Sequence, residues 1–187
     1  IRGAASSLYG SAAATAVIKI TTTQPKQQAL SGSIRTIYGT NNDKSHFSLA
    51  PNFQTRQLQF ALGNATHSGS ISLSDQRTMG MSSVIGTEDD STAKQNVSAQ
   101  YQLQLSSDFR LNTIFTEDYF SSEYDDSFPA LLDADNHFTS KSQRVVVQPK
   151  WIGESSSFVG RVSWATSSRD FVSSFPVYFE GDVMDVE

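Results

Sequence analysis

Two groups of carboxylates are the residues of this chain whose type and clustering could do chemistry. Glu88-Asp89-Asp90 forms one, and Glu123, Asp125, Asp126, Asp133 and Asp135 form the other. Carboxylate oxygens gathered on loops are hard ligands of the kind that hold calcium. The spacing is not that of an EF-hand, and a solvated acidic loop is the plain alternative. His46, His67 and His137 lie far apart in the sequence, without metal-ligand spacing, and read as surface histidines on loops. The chain has no Cys, so it has no disulfide framework, thiolate metal site or cysteine nucleophile. It also has no nucleophile-elbow motif that would start a serine–histidine–acid constellation. The expected chemistry is binding rather than bond breaking, and no enzyme activity is expected.

Those loops must be carried by a scaffold, and the composition narrows its type. The chain has 187 residues, of which 37% are hydrophobic and 18% charged, with a formal net charge of −5. The acidic balance argues against a nucleic-acid partner, which would call for a basic stripe. No run approaches the roughly 18 apolar residues of a membrane-spanning helix. A transmembrane β-barrel stays open as a possibility, because only alternate residues of its strands meet lipid.

Alternation is the dominant pattern. Val97, Ala99, Tyr101, Leu103 and Leu105 share one face of a strand, with Ser98, Gln100, Gln102 and Gln104 on the other. After the turn Ser106-Ser107-Asp108, Phe109, Leu111, Thr113 and Phe115 oppose Arg110, Asn112 and Thr116, which predicts a hairpin. Arg144 to Ile152, a turn at Gly153-Glu154-Ser155 and Ser156 to Ser167 predict another, in which Phe158, Val162 and Trp164 oppose Arg161 and Ser163. A third pair is expected from Ser45 to Phe53 and Gln57 to Leu62 around Gln54-Thr55-Arg56, with Ser31 to Thr40 as a lone strand before them. About seven strands are therefore predicted.

The connections alternate in length. Turns near Thr55, Ser107 and Glu154 are short, whereas Asn64 to Lys94, Ser121 to Lys141 and the residues from Ser168 onward read as long polar loops. Short turns at one end and long loops at the other describe outer-membrane barrels. A soluble β-sandwich also alternates its faces and remains an alternative. Phe47, Tyr101, Phe109, Tyr119, Trp151 and Trp164 are candidates for aromatic girdles at a membrane interface, or else sheet-core aromatics. Gln100, Gln102, Gln104, Arg110, Asn112 and Arg161 would face water or another polar wall, since an unpaired polar group in a dry core costs roughly 1–3 kcal/mol.

The first residues differ in character. Gly3 and Gly10 permit tight turns, Ala4 to Ser7 and Gly10 to Ala16 are small, and Val17 to Thr23 is a β-branched strand. Pro25 to Ala29 then reads as a linker. Arg2-Gly3, Leu8-Tyr9-Gly10, Val17-Ile18, Ile20 and Thr21-Thr22-Thr23 occur in an order and spacing that resembles the closing stretch of the plug domain of TonB-dependent outer-membrane receptors. Ala4 stands where the family has Pro, Ala13 to Ala16 lack its Gly pair, and Lys19 replaces a common Asn. The motif covers about the first tenth of the chain.

This resemblance implies an all-β fold: the C-terminal part of a plug in residues 1–24, then residues 25–187 as the first strands of an antiparallel transmembrane β-barrel of about 22 strands. An open sheet cannot sit in lipid, so its ends would pair with strands of a longer protein. Arg2, Gly3, Tyr9 and Gly10 would be structural residues of the plug, with Arg2 paired to a wall carboxylate. The implied function is uptake of a scarce, bulky nutrient, a ferric siderophore or cobalamin, across the outer membrane of a Gram-negative bacterium. The ligand would bind between loops and plug, and a TonB energy-coupling complex would act through a segment preceding Ile1. Some cobalamin receptors of this family order their outer loops with calcium, which links Glu88, Asp89, Asp90, Asp125, Asp126, Asp133 and Asp135 to a metal. No other cofactor is implied. A passive porin or surface adhesin on a similar barrel is the rival membrane reading.

Overall fold

The computed structural model describes residues 30–39, 53–80, 90–126 and 132–187, the side chains of 126 and 132–135 excepted. The plug-like residues Arg2, Gly3, Tyr9 and Gly10, together with His46, Phe47, Glu88 and Asp89, lie outside them.

The described residues form an antiparallel sheet of nine strands and no helix. The strands are β1 (Ser31–Gly39), β2 (Phe53–Gly63), β3 (His67–Thr78), β4 (Thr92–Gln104), β5 (Phe109–Asp126), β6 (Leu132–Ile152), β7 (Ser157–Val159), β8 (Val162–Val172) and β9 (Val177–Val186). Strands β1 to β6 each pair with the next, β6 pairs with both β7 and β8, and β8 pairs with β9, so the sheet is a meander with β1 and β9 at its edges. β7 and β8 are one strand in all but name. The β6–β8 pairing from His137↔Val172 to Val147↔Val162 resumes in step at Lys150↔Val159. The break falls at Pro149, which has no N–H to give. Its carbonyl still accepts from the Gly160 amide at 3.0 Å.

The hairpin of β4 and β5 and the turns near Ser107 and Glu154 stand where the alternation put them. The turn at Gln54-Thr55-Arg56 is overturned. These residues lie within β2, near its start, paired on one side to Thr36–Tyr38 and on the other to Asp75–Arg77. The segment lacks Gly, Pro and Asn, and Thr55 is 93% buried, so extended backbone wins over a turn.

The long connections are also shorter than expected. Between Asn64 and Lys94 the chain makes a tight turn and then β3. There Asn64 Oδ1 accepts from the Thr66 and His67 amides at 2.9 and 2.7 Å, an Asx-type closure. β5 and β6 consume most of the stretch from Ser121 to Lys141, and residues from Ser168 onward finish β8 and build β9. His67 and His137 are consequently strand residues rather than loop residues. One end of the sheet carries only tight turns, at 64–66, 105–108 and 153–156. The other carries 40–52, 79–91 and 127–131, but also the brief connection 173–176.

The sheet is a single layer. Val146 is the one apolar side chain buried among the described residues, while more than twenty large apolar side chains are exposed. A packed domain needs at least two layers around a shared core. What stabilises this sheet internally is its hydrogen-bonded ladder and cross-strand pairs, and both of its faces await other material.

Candidate functional site

Register assigns every strand residue to one of two faces, and the faces differ sharply. On the first lie Ile34 of β1, Leu58, Phe60 and Leu62 of β2, and Ile71 and Leu73 of β3. Val97, Ala99 and Tyr101 of β4 follow, then Leu111 and Phe115 of β5, Val145 and Val147 of β6, and Trp164 and Met184 of β8 and β9. These residues line up across the sheet as a largely apolar band, with Thr113 and His67 as its polar members. Ile34 is 80% exposed, Leu62 51%, Trp164 46% and Met184 70%.

The band ends abruptly toward the loop end. Arg56, Asp75 and Gln95 sit side by side on β2, β3 and β4, one alternate position beyond Leu58, Leu73 and Val97. Glu117 and Gln143 do the same on β5 and β6, with Gln143 Nε2 donating to Glu117 Oε2 and Lys141 at 3.8 Å from Glu117. Tyr119 is level with Gln95, Tyr38 and Tyr178 stand one row further out, and Phe109, Trp151 and Phe158 mark the opposite border. From the Trp151 row to the Leu58 row the band measures roughly 26 Å along the strands, at about 3.3 Å per residue. Of the aromatic residues singled out in the sequence, Tyr101, Phe109, Tyr119, Trp151 and Trp164 all share this face. Tyr178, outside the band, donates its hydroxyl to Glu180 at 3.1 Å. That hydrogen bond, with desolvation and the nearby Glu180 and Asp170 charges, raises its pKa above the ordinary tyrosine value.

The second face is polar. Ser68, Ser70, Ser72 and Ser74 line β3, and Gln100, Gln102 and Gln104 line β4, beside Arg110 and Asn112 of β5 and Gln148 of β6. Side-chain bonds cross the strands. Gln100 Nε2 donates to Asn112 Oδ1 at 3.1 Å, and Asn112 Nδ2 donates to Gln148 Oε1 at 3.1 Å. Arg110 Nε donates to Gln104 Oε1 at 3.2 Å, and Arg161 pairs with Glu187 at 3.4 Å. The polar residues that alternation grouped together, Arg161 included, do share this face. Asn112→Ala is expected to leave both glutamines short of a partner and to lower stability by about 1 kcal/mol. Urea unfolding of the folded chain, compared with wild type, checks this.

Near the loop end of the polar face four rings form a row across four strands: Phe120, Phe138, Phe171 and Phe179. Consecutive centroids are 5.9, 4.5 and 6.4 Å apart. The sequence signal for this row was weak, because the four rings come from four strands that only the pairing brings side by side.

The acidic residues are dispersed along strands more than gathered on loops. Glu123 lies in β5 and closes the loop end of the β4–β5 pair, its Oε2 accepting from the Ser91 amide at 2.9 Å. Asp125 and Asp126 are in β5, and Asp133 and Asp135 are in β6. The register slips there: between Tyr124↔Asn136 and Asp126↔Leu132, β5 has one residue, Asp125, where β6 has three, Asp133, Ala134 and Asp135. Asp90 precedes β4. Among the described residues no three His, Asp or Glu side chains come together as a metal site. His67 meets Tyr101 instead, its Nδ1 2.6 Å from the phenol oxygen.

Neither protein-family models, curated proteins nor solved structures yield a match to this chain.

Proposed function

We propose that the sheet is part of the wall of a transmembrane β-barrel in a bacterial outer membrane, and that the barrel is a TonB-dependent receptor taking up a ferric siderophore or cobalamin. The observation that carries the barrel reading is the exposed apolar band on one face of a single-layer sheet, bounded by charge and aromatic rings, with a hydrogen-bonded polar face behind it. Transmembrane strands need about 9–11 residues and an apolar belt about 25 Å tall, flanked by aromatic girdles. A soluble sandwich would turn its apolar side chains against a second sheet, and here they are exposed on a sheet with no second layer among the described residues.

The receptor reading rests on the plug-like motif from Arg2 to Thr23, and the wall gives it a physical setting. A serine- and glutamine-lined inner face suits contact with water or with the backbone of a plug. The row Phe120, Phe138, Phe171 and Phe179 lies on that inner face at the end where residues 40–52 and 79–91 connect the strands. It offers stacking surface to a bulky ligand entering there. Transport breaks no bond in the ligand; the work is a displacement of the plug driven from the inner membrane.

Uptake separates this proposal from a passive porin. Cells lacking the gene are expected to lose uptake of labelled cobalamin or of a ferric siderophore, and wild-type cells to lose it when the proton-motive force is dissipated. Uptake that survives dissipation would leave the porin. Phe138→Ala removes the central ring and is expected to raise the ligand concentration for half-maximal uptake about tenfold, the loss of roughly 1–1.5 kcal/mol of ring contact. The amount of protein in the outer membrane should not change.

A further inference from the structure

A shallow trough runs along β3 on the apolar face. Its floor is Leu73, Ile71 and Gly69. Leu58, Phe60 and Leu62 form one bank, and Val97, Ala99 and Tyr101 form the other. It opens into two hollows, of about 420 Å³ beside Leu58, Leu73 and Val97 and of about 250 Å³ beside Phe60, Gly69 and Tyr101. The second hollow opens over Gly69, which has no side chain to fill it. A Cβ on Gly69 would meet the Gln100 carbonyl oxygen at 3.4 Å and the Tyr101 ring at 3.8 Å, so any larger side chain fills the hollow.

At the loop end the trough meets two guanidiniums and one carboxylate. The Asp75 carboxylate is taken up by Arg77, at 3.2 Å, and by Gln95, at 3.1 Å. Arg56, exposed and aligned with Asp75 across the strands, shares its face of β2 with the uncharged Gln54. Arg56, Arg77 and Asp75 therefore carry a net positive charge at the border of an apolar groove, and Arg77 keeps 63% of its side chain in solvent.

We infer that this trough binds one phosphate-bearing membrane lipid, its acyl chain lying along Leu73, Ile71 and Gly69 and its phosphate received by Arg56 and Arg77. The inference rests on the membrane reading above and adds a specific occupant to it. The charge complementarity selects an anionic headgroup, since basic side chains at a membrane surface attract such lipids and a guanidinium matches phosphate oxygens in pairs. The length agrees. Six residues from Asp75 to Gly69 span about 20 Å of strand, comparable to the roughly 15 Å that one leaflet contributes to a 30 Å hydrocarbon core.

The test is lipid retention by the delipidated protein in neutral detergent, read by native mass spectrometry. Phosphatidic acid, diacylglycerol with the same chains, and inorganic phosphate serve as probes. Wild type is expected to retain phosphatidic acid in preference to diacylglycerol. The double variant Arg56→Gln, Arg77→Gln and the trough-filling Gly69→Leu should each weaken retention roughly tenfold, and Arg56→Lys should keep most of it. Equal retention of the two lipids, or wild-type retention by both variants, overturns the inference. So does displacement of the lipid by equimolar inorganic phosphate, which would make this a free-phosphate site. Flotation with neutral-lipid vesicles reports the membrane reading separately. Wild type and variants should all float, and a wild type that stays in the aqueous fraction refutes the membrane reading itself.

Discussion

Ile71→Arg is expected to abolish stable insertion of the sheet into a bilayer, while Ser72→Arg, one residue away, is tolerated. Ile71 lies inside the apolar band, one row in from its loop-end edge, level with Phe60 and Ala99, and is 40% exposed. Ser72 points from the opposite face, level with Gln59 and Ser98. A cationic side chain on the lipid face of a transmembrane strand costs about 2–4 kcal/mol near the midplane. That is a large fraction of a folded domain's net stability, about 5–15 kcal/mol. An arginine at position 72 would join Gln100 and the serines of β3 on a polar surface. The measurement is the fraction of chain that folds into vesicles from urea, followed by protease protection. Equal loss in the two variants would show that both faces are packed alike and would remove the distinction on which the barrel wall depends.

The second large effect is local and backbone-borne. Gly80 is the one described residue with positive φ, at 72°. A Cβ there would fall 1.8 Å from the Asp90 carbonyl oxygen, which is backbone and cannot step aside. Gly80→Ala adds the roughly 1–2 kcal/mol of left-handed backbone for a side-chain-bearing residue to a clash that must part the chain between Thr78 and Thr92, the last pair of the β3–β4 ladder. The expected loss is about 3 kcal/mol in total, at the upper end for a strained residue, with fast amide exchange at the end of that ladder. Gly181→Ala is the control. Nothing lies within 4 Å of its Cβ, and a strand interior favours Ala over Gly by roughly 0.5–1 kcal/mol. If both changes cost the same, the Gly80 backbone conformation is not the cause.

Strands were legible wherever one face was uniformly apolar, as from Val97 to Leu105, because the period is unambiguous there. β3 was hidden. Gly69 and the four serines leave Ile71 and Leu73 as its apolar signal, and such a segment reads as loop until a neighbour supplies the register. β9 was hidden for the opposite reason. Val177, Tyr178 and Phe179 are consecutive, so they have no period, and Glu180, Gly181 and Asp182 follow. Gln54-Thr55-Arg56 looked like a turn because it is polar. It is polar because Gln54 and Arg56 lie just past the apolar band, a position along the strand that composition does not encode. The same reason hid the cluster of Arg56, Asp75, Arg77 and Gln95, residues from three strands that only the pairing brings level. The acidic residues of β5 and β6 were read as loop ligands because runs of Asp usually solvate turns. Here the long β5–β6 pairing carries them on extended backbone.

The central claim is that the apolar face meets lipid, and the two tryptophans test it without any label. Trp151 and Trp164 are the only tryptophans in the chain, and both lie on that face, 39% and 46% exposed. Their fluorescence should be measured in vesicles whose acyl chains carry bromine, and again with iodide in the surrounding water. The barrel wall requires strong quenching by the brominated chains, deeper for Trp164 than for Trp151 near the short-turn border, and little quenching by iodide. Quenching by iodide alone would place both rings in water and contradict the claim.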